Sequence, residues 1–156
     1  MAQLQFTLDG RQVAVEADPG TSLLEVLRDD FGLRAVKDGC SPEGSCGACT
    51  VIVDGKPINS CLMLAAEADG ADVLTVEGLA QEGRLDALQQ AFLETGAAQC
   101  GFCIPGQLMA ARALLERSPH PTAEEINEAL AGNLCRCAGY EQIRAAVLAA
   151  AGEVRS

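Results

Sequence analysis

From Gln3 to Leu8 hydrophobic residues alternate with polar ones, setting Leu4, Phe6 and Leu8 on one face, and the alternation resumes through Val13 and Val15 after Asp9-Gly10. A period of two interrupted by Asp-Gly predicts a hairpin. The period then becomes helical. Ser22 and Glu25 form a capping box ahead of Leu23, Leu24, Leu27 and Phe31, which share one helical face, and Gly32 ends the run. Strand patterning returns at Cys49–Val53, turns at Asp54-Gly55 and comes back through Ile58 toward Cys61, with Val73–Val76 as one more short strand. This order predicts a small mixed sheet clasping one helix.

Near Gly78 the chain becomes alanine-rich, strand-poor and helical in period, which predicts a domain boundary within Glu77–Arg84. The expected division is a first unit at 1–77, a linker at 78–84 and a second unit at 85–156. Leu85, Leu88 and Phe92 mark one helix, ended by Gly96; Gln107 to Arg117 marks a second, closed by Ser118-Pro119-His120-Pro121. Thr122 and Glu125 make a capping box for a third, with Ile126 and Leu130 inward and Gly132 as its stop; Tyr140, Ile143 and Val147 mark a fourth. Four short helices around one apolar centre predict a bundle, so the expected class is α+β.

The eight cysteines divide across these two units. Cys40, Cys46, Cys49 and Cys61 occupy the loop and strands of the first, with Gly39, Gly44 and Gly47 crowded among them. Four thiolates are the complement of one iron–sulfur cluster, and glycines let backbone N–H groups approach its sulfurs. An even cysteine count also suits a disulfide framework, but a chain of 156 residues with 49% hydrophobic content builds an ordinary core without such staples. Structural zinc is the stronger alternative, although it usually uses two short cysteine pairs and this quartet has one. The spacing is close to the plant-type C-x4-C-x2-C followed by a later cysteine, with one residue more in the first gap. The fold expected around it is the β-grasp of plant-type ferredoxins.

Cys100, Cys103, Cys135 and Cys137 form the second quartet. Cys100 and Cys103 precede the second predicted helix, and Cys135 and Cys137 precede the fourth. Helix N-termini present free N–H groups and positive dipole ends, which favour an anionic cluster. Pro105 fits the first turn of its helix, where a missing N–H costs little. Zinc bound by these four thiolates stays open on spacing alone.

Three segments, Gly39-Cys40 through Cys49-Thr50, Gln99-Cys100-Gly101-Phe102-Cys103, and Gly132-Asn133-Leu134-Cys135-Arg136-Cys137, together resemble the small iron–sulfur subunit of molybdenum hydroxylases. That family includes xanthine dehydrogenase, aldehyde oxidoreductase and aerobic carbon monoxide dehydrogenase. The resemblance spans nearly the whole chain and all eight cysteines. It implies two [2Fe–2S] clusters relaying electrons from a molybdenum–pterin cofactor on a large subunit toward FAD on a medium subunit or another acceptor. It also implies that the second quartet lies nearer molybdenum, the first lies outward, and Gln99 and Cys137 contact the pterin. One departure is visible: five residues, Ser41 to Ser45, separate Cys40 from Cys46 where the family commonly has four.

The formal charge of −11, to which each oxidised cluster would add roughly two negatives, makes nucleic acid an unsuitable partner. No Ser-His-Asp set, phosphate loop or nucleotide fingerprint occurs, and the single His120 stands in a Pro-flanked loop, so no catalytic residue is assigned. Phe102, Ile104, Pro105, Leu108 and Met109 gather beside the second quartet, as bundle core or as a subunit interface. No membrane-spanning stretch and no export signal are evident, which makes the cytoplasm the expected location. A free-standing electron carrier and a zinc-bound assembly module remain as alternative functions.

Overall fold

The computed structural model describes residues 1–153; the last three residues of the expected second unit lie outside them. Strands β1 (Ala2–Leu8) and β2 (Arg11–Ala17) form the expected hairpin, with Leu4 opposite Val15 and Phe6 opposite Val13. Asp9 and Gly10 both take positive φ, 49° and 80°, the backbone of the tight turn whose twist matches two paired strands. The same turn recurs at Asp54 and Gly55, between β3 (Thr50–Val53) and β4 (Lys56–Asn59). A short β5 (Asp72–Leu74) completes a sheet ordered β2-β1-β5-β3-β4, in which β5 runs parallel to β1 and antiparallel to β3.

One helix lies in the grasp of this sheet. Ser22 caps α1 (Leu23–Glu25) as predicted: its hydroxyl accepts from the Glu25 amide while the Glu25 carboxylate accepts from the Ser22 amide. The helix then widens into a π-helical stretch over Val26–Asp30 before Gly32 (φ 69°). Leu23, Leu24, Val26 and Leu27 are buried against Leu4, Phe6 and Leu8, and Phe31 meets Phe6 edge to face at 5.9 Å.

Strand β3 has two buried faces. Val51 and Val53 belong to the core beneath α1, whereas Ile52 belongs to a second core built by the helices. That explains why Thr50-Val51-Ile52-Val53 is an unbroken non-charged run rather than an alternating one. The helices are α2 (Ala87–Glu94), α3 (Ile104–Arg117), α4 (Ala123–Leu130) and α5 (Tyr140–Ala150), and they bury Leu88, Met109, Leu114, Ile126, Ile143 and Val147 together. Leu79 also packs into this core.

Three local expectations shift. Leu85 lies outside its helix and is exposed, because Asp86 is the N-cap, reciprocated by Gln89; Arg112 of α3 pairs with Asp86 at 2.9 Å. Helix α3 begins directly after Cys103 rather than at Gln107, since Pro105 is comfortable in a first turn. The strand expected at Val73–Val76 ends at Leu74, and a 3₁₀ turn follows over Val76–Gly78.

Asp9 ties the first hairpin to the end of the sheet, its carboxylate accepting from the Thr75 amide at 2.7 Å and the Thr75 hydroxyl at 2.8 Å. Burial pushes the Asp9 carboxyl above its usual range, aided by nearby Glu77 and Asp72 and opposed by the Thr75 hydrogen bonds. With the native value above the unfolded one, this group's contribution to stability is full below the unfolded value and is lost as pH rises through the native value. Asp9→Asn keeps an acceptor for Thr75 without the charge. Its thermal midpoint should therefore gain on the parent's as pH is raised from about 4 to about 8. A difference in midpoint independent of pH would contradict this account.

Candidate metal centres

The first thiol set is built from a loop and a strand. Cys40 and Cys46 flank the Ser41–Ser45 loop, Cys49 is buried beside the start of β3, and Cys61 follows β4. Backbone amides turn toward the sulfurs: Ser45 and Cys46 donate to Cys40, Ala48 to Cys46 at 3.4 Å, and Gly44 to Cys61. The Ser45 amide leads in drawing the Cys40 thiol down to about 6. Burial, with the neighbouring Cys49 thiol, pushes Cys61 up to about 12. The five-residue loop is pinned at both ends. The Ser41 amide donates to Asp38 at 2.9 Å, and Asn59 Nδ2 donates to the Gly44 carbonyl at 3.1 Å. Gly44 takes a positive φ of 73°, and a Cβ there would stand 2.4 Å from the exposed Leu62 side chain, which would have to move aside.

The second set lies between two helix ends. Cys100 and Cys103 lead into α3, and Cys135 and Cys137 lead through Gly139 into α5. The thiols meet crosswise, Cys100 with Cys137 and Cys103 with Cys135, one from each loop in both pairs. The Phe102 amide is the chief cause of a lowered Cys100 thiol, while burial lifts Cys103 to about 12. The Gly139 amide donates to Cys135 Sγ at 3.3 Å, and the Tyr140 hydroxyl reaches back to accept from the Cys135 amide at 2.8 Å. Gln99 is exposed at the rim. A Cβ on Gly139 would stand 3.7 Å from both Gln99 Nε2 and Cys135 Sγ.

The two loops touch through backbone. Leu134 donates its amide to the Cys46 carbonyl at 2.9 Å, linking the neighbour of one thiol set to a member of the other. A Cβ on Gly47 would lie 2.3 Å from the Gly132 carbonyl, and one on Gly106 would lie 2.2 Å from the Gly47 carbonyl. Buried Asn133 fills the junction. With its amide nitrogen facing inward it donates to the Gly47 carbonyl at 3.0 Å and the Gly106 carbonyl at 3.2 Å. Thr50 donates to the same Gly47 carbonyl at 2.7 Å, and fully buried Gln107 donates to the Asn133 carbonyl at 2.8 Å. Between the two sets opens a cavity of about 430 Å³, lined by Cys46 and Ala48 on one side and by Cys100, Cys103, Cys135 and Phe102 on the other.

All eight expected cysteines thus gather into the two expected groups, each dressed with donor N–H groups. Among the described residues no group of three or more His, Cys, Asp or Glu closes around a single ion. The thiols instead face each other in pairs, a donor set suited to a two-iron group in which each iron takes two protein thiolates. Tyr140 opens the fourth helix as expected, is half-exposed, and serves the Cys135 backbone. Leu108 and Met109 are core, whereas Phe102 is exposed. Sequence reasoning missed the Asn133–Gln107 junction altogether. Its only signal is the presence of two amide side chains beside thiol loops.

Residues 6–80 match the family described as 2Fe-2S iron-sulfur cluster binding domain, and residues 75–148 match the [2Fe-2S] binding domain. The nicotinate dehydrogenase small FeS subunit of Eubacterium barkeri is 52% identical over 92% of this chain and 91% of its own length. The xanthine dehydrogenase iron-sulfur-binding subunit of Escherichia coli O157:H7 is 50% identical over 93% of this chain and 91% of its own. Among solved structures, a chain of quinoline 2-oxidoreductase from Pseudomonas putida 86 superposes with a TM-score of 0.92 at 43% identity, covering 98% of both. Aldehyde oxidoreductase from Desulfovibrio gigas gives 0.92 at 40% identity, covering 97% of this chain but 17% of that longer one.

The Gly47 contact makes a direct prediction. Gly47→Ala should lower the thermal midpoint and the iron retained per chain far more than Gly55→Ala, which has a similar positive φ (78° against 75°) but open space around it. Equal effects would show that φ strain, about 1 kcal/mol, is the whole cost and that the loop junction contributes nothing.

Proposed function

This chain belongs to the family of small iron–sulfur subunits of molybdenum hydroxylases, and from that premise we propose which of its residues do the work. The chain is an electron-transfer subunit of an oxidoreductase complex. It carries [2Fe–2S] cofactors and partners a large molybdenum-binding subunit. Cys40, Cys46, Cys49 and Cys61 hold one cluster, and Cys100, Cys103, Cys135 and Cys137 hold the other. The observation that carries this assignment is the convergence of each quartet, with backbone N–H groups aimed at its sulfurs. When bound, each cluster supplies one-electron transfer, so two in one chain suit a reaction that withdraws two electrons from its substrate.

The protein's own contribution is electrostatic and steric. Amides on the sulfurs stabilise thiolate charge, and the N-terminal ends of α3 and α5 add their positive dipole ends at the second site. The Cys100/Cys103/Cys135/Cys137 site is the one facing molybdenum, and the Cys40/Cys46/Cys49/Cys61 site faces outward, toward FAD on a medium subunit or another acceptor. Gln99 and Cys137 contact the pterin; the exposure of Gln99 at the rim of the second site supports that role. The chain divides into a ferredoxin-like unit at 1–77, a linker at 78–84 and a helical unit from 85. Among the described residues no helix is long and apolar enough to cross a membrane. The cytoplasm is the location this reading favours, since a reducing compartment keeps cluster-ligating cysteines from oxidising to disulfides.

Purification from the native source tests this. The chain should arrive with a large molybdenum-bearing subunit, iron and acid-labile sulfide; zinc without sulfide, or a chain that elutes alone with both clusters intact, would overturn the assignment. Cys137→Ser in the assembled complex should disturb the spectrum of the second cluster and slow turnover. Unchanged spectra and rate would remove Cys137 from the ligand set.

A further inference from the structure

Lys37 belongs by sequence to the first cysteine loop yet points its charge at the second site. Its backbone amide donates to the Ala48 carbonyl at 3.2 Å, which anchors the residue beside the first thiol set. Its ammonium reaches across the junction, 5.2 Å from the centre of the Phe102 ring and 3.4 Å from the Phe102 carbonyl. Phe102 stands between Cys100 and Cys103. Gly39 makes the crossing possible, because a Cβ there would stand 3.1 Å from the edge of that ring. Among the described residues no carboxylate pairs with the Lys37 ammonium, so its charge is not neutralised locally.

We propose that Lys37 is a positioning residue that raises the reduction potential of the cluster held by Cys100, Cys103, Cys135 and Cys137, and that it does so from the opposite loop. The inference rests on the assignment of those four cysteines as ligands. Reduction of a [2Fe–2S] centre adds one electron and one negative charge to the site, so a fixed cation alongside stabilises the reduced form. Cation–π contact with Phe102 holds the ammonium in place, and the half-buried setting keeps its field from being fully screened. The two cluster loops are therefore coupled in function as well as packing: displacing the first loop withdraws the charge from the second site.

The test is an EPR-monitored redox titration of the assembled complex carrying Lys37→Met, which keeps the aliphatic stem and removes the charge, beside Lys37→Arg, which keeps it. The second-site signal is identified as the one altered by Cys135→Ser or, should that variant fail to assemble, as the one left unaltered by Cys61→Ser. Lys37→Met should shift the reduced-to-oxidised ratio of that cluster about tenfold toward oxidised at fixed potential, a fall of about 59 mV for one electron. The other cluster should move less, and Lys37→Arg should stay near the parent. An unmoved second-site potential, an equal or larger shift at the first site, or an equal fall in Lys37→Arg would overturn the proposal. A parent complex lacking two [2Fe–2S] signals would instead overturn the ligand assignment beneath it.

Discussion

The contact on which the molecule depends is backbone against backbone, where Gly47 meets Gly106 and Gly132. Side chains are excluded at Gly47 and Gly106 by distances of 2.3 and 2.2 Å, so the two cysteine loops approach as closely as peptide groups allow. Such an approach buries carbonyls that water can no longer reach, and an unpaired buried carbonyl is costly. Asn133 and Thr50 meet that cost by donating to the Gly47 carbonyl, Asn133 also to that of Gly106, and Gln107 anchors Asn133 by donating to its carbonyl. The Leu134 amide completes the junction through its bond to Cys46.

Around this junction the two halves share a wall. Strand β3 contributes Val51 and Val53 to one core and Ile52 to the other, so the sheet that frames the first thiol set is also the floor on which α3 rests. A rigid relation between the two sites follows from continuous close packing, since interiors at this density transmit displacement rather than absorb it. That rigidity matters for a chain whose role is to hold two redox centres at a constant separation.

What was legible from sequence was local. The Asp-Gly turns, the Ser22 and Thr122 capping boxes and the cysteine quartets each rest on residues a few positions apart, where backbone chemistry is decided by neighbours. The mixed sheet and the helical second half followed from periodicity. The junction was not legible, because Gly47 and Asn133 lie far apart in the chain and nothing in either neighbourhood points to the other. Lys37 with Phe102, and Tyr140 with the Cys135 amide, belong to the same class: their partners are set by tertiary packing. The start of helix α3 at Ile104 was legible only in Pro105, which suits a first turn, because Cys103 and Gly106 beside it carry no helical signal of their own.

The central claim, two clusters held in fixed proximity within one chain, is tested most directly by reducing the purified protein and recording iron, acid-labile sulfide and EPR together. The account predicts about four irons and about four sulfides per chain, and two [2Fe–2S] signals broadened by mutual magnetic interaction. A single cluster per chain, or two signals with no interaction between them, would contradict it.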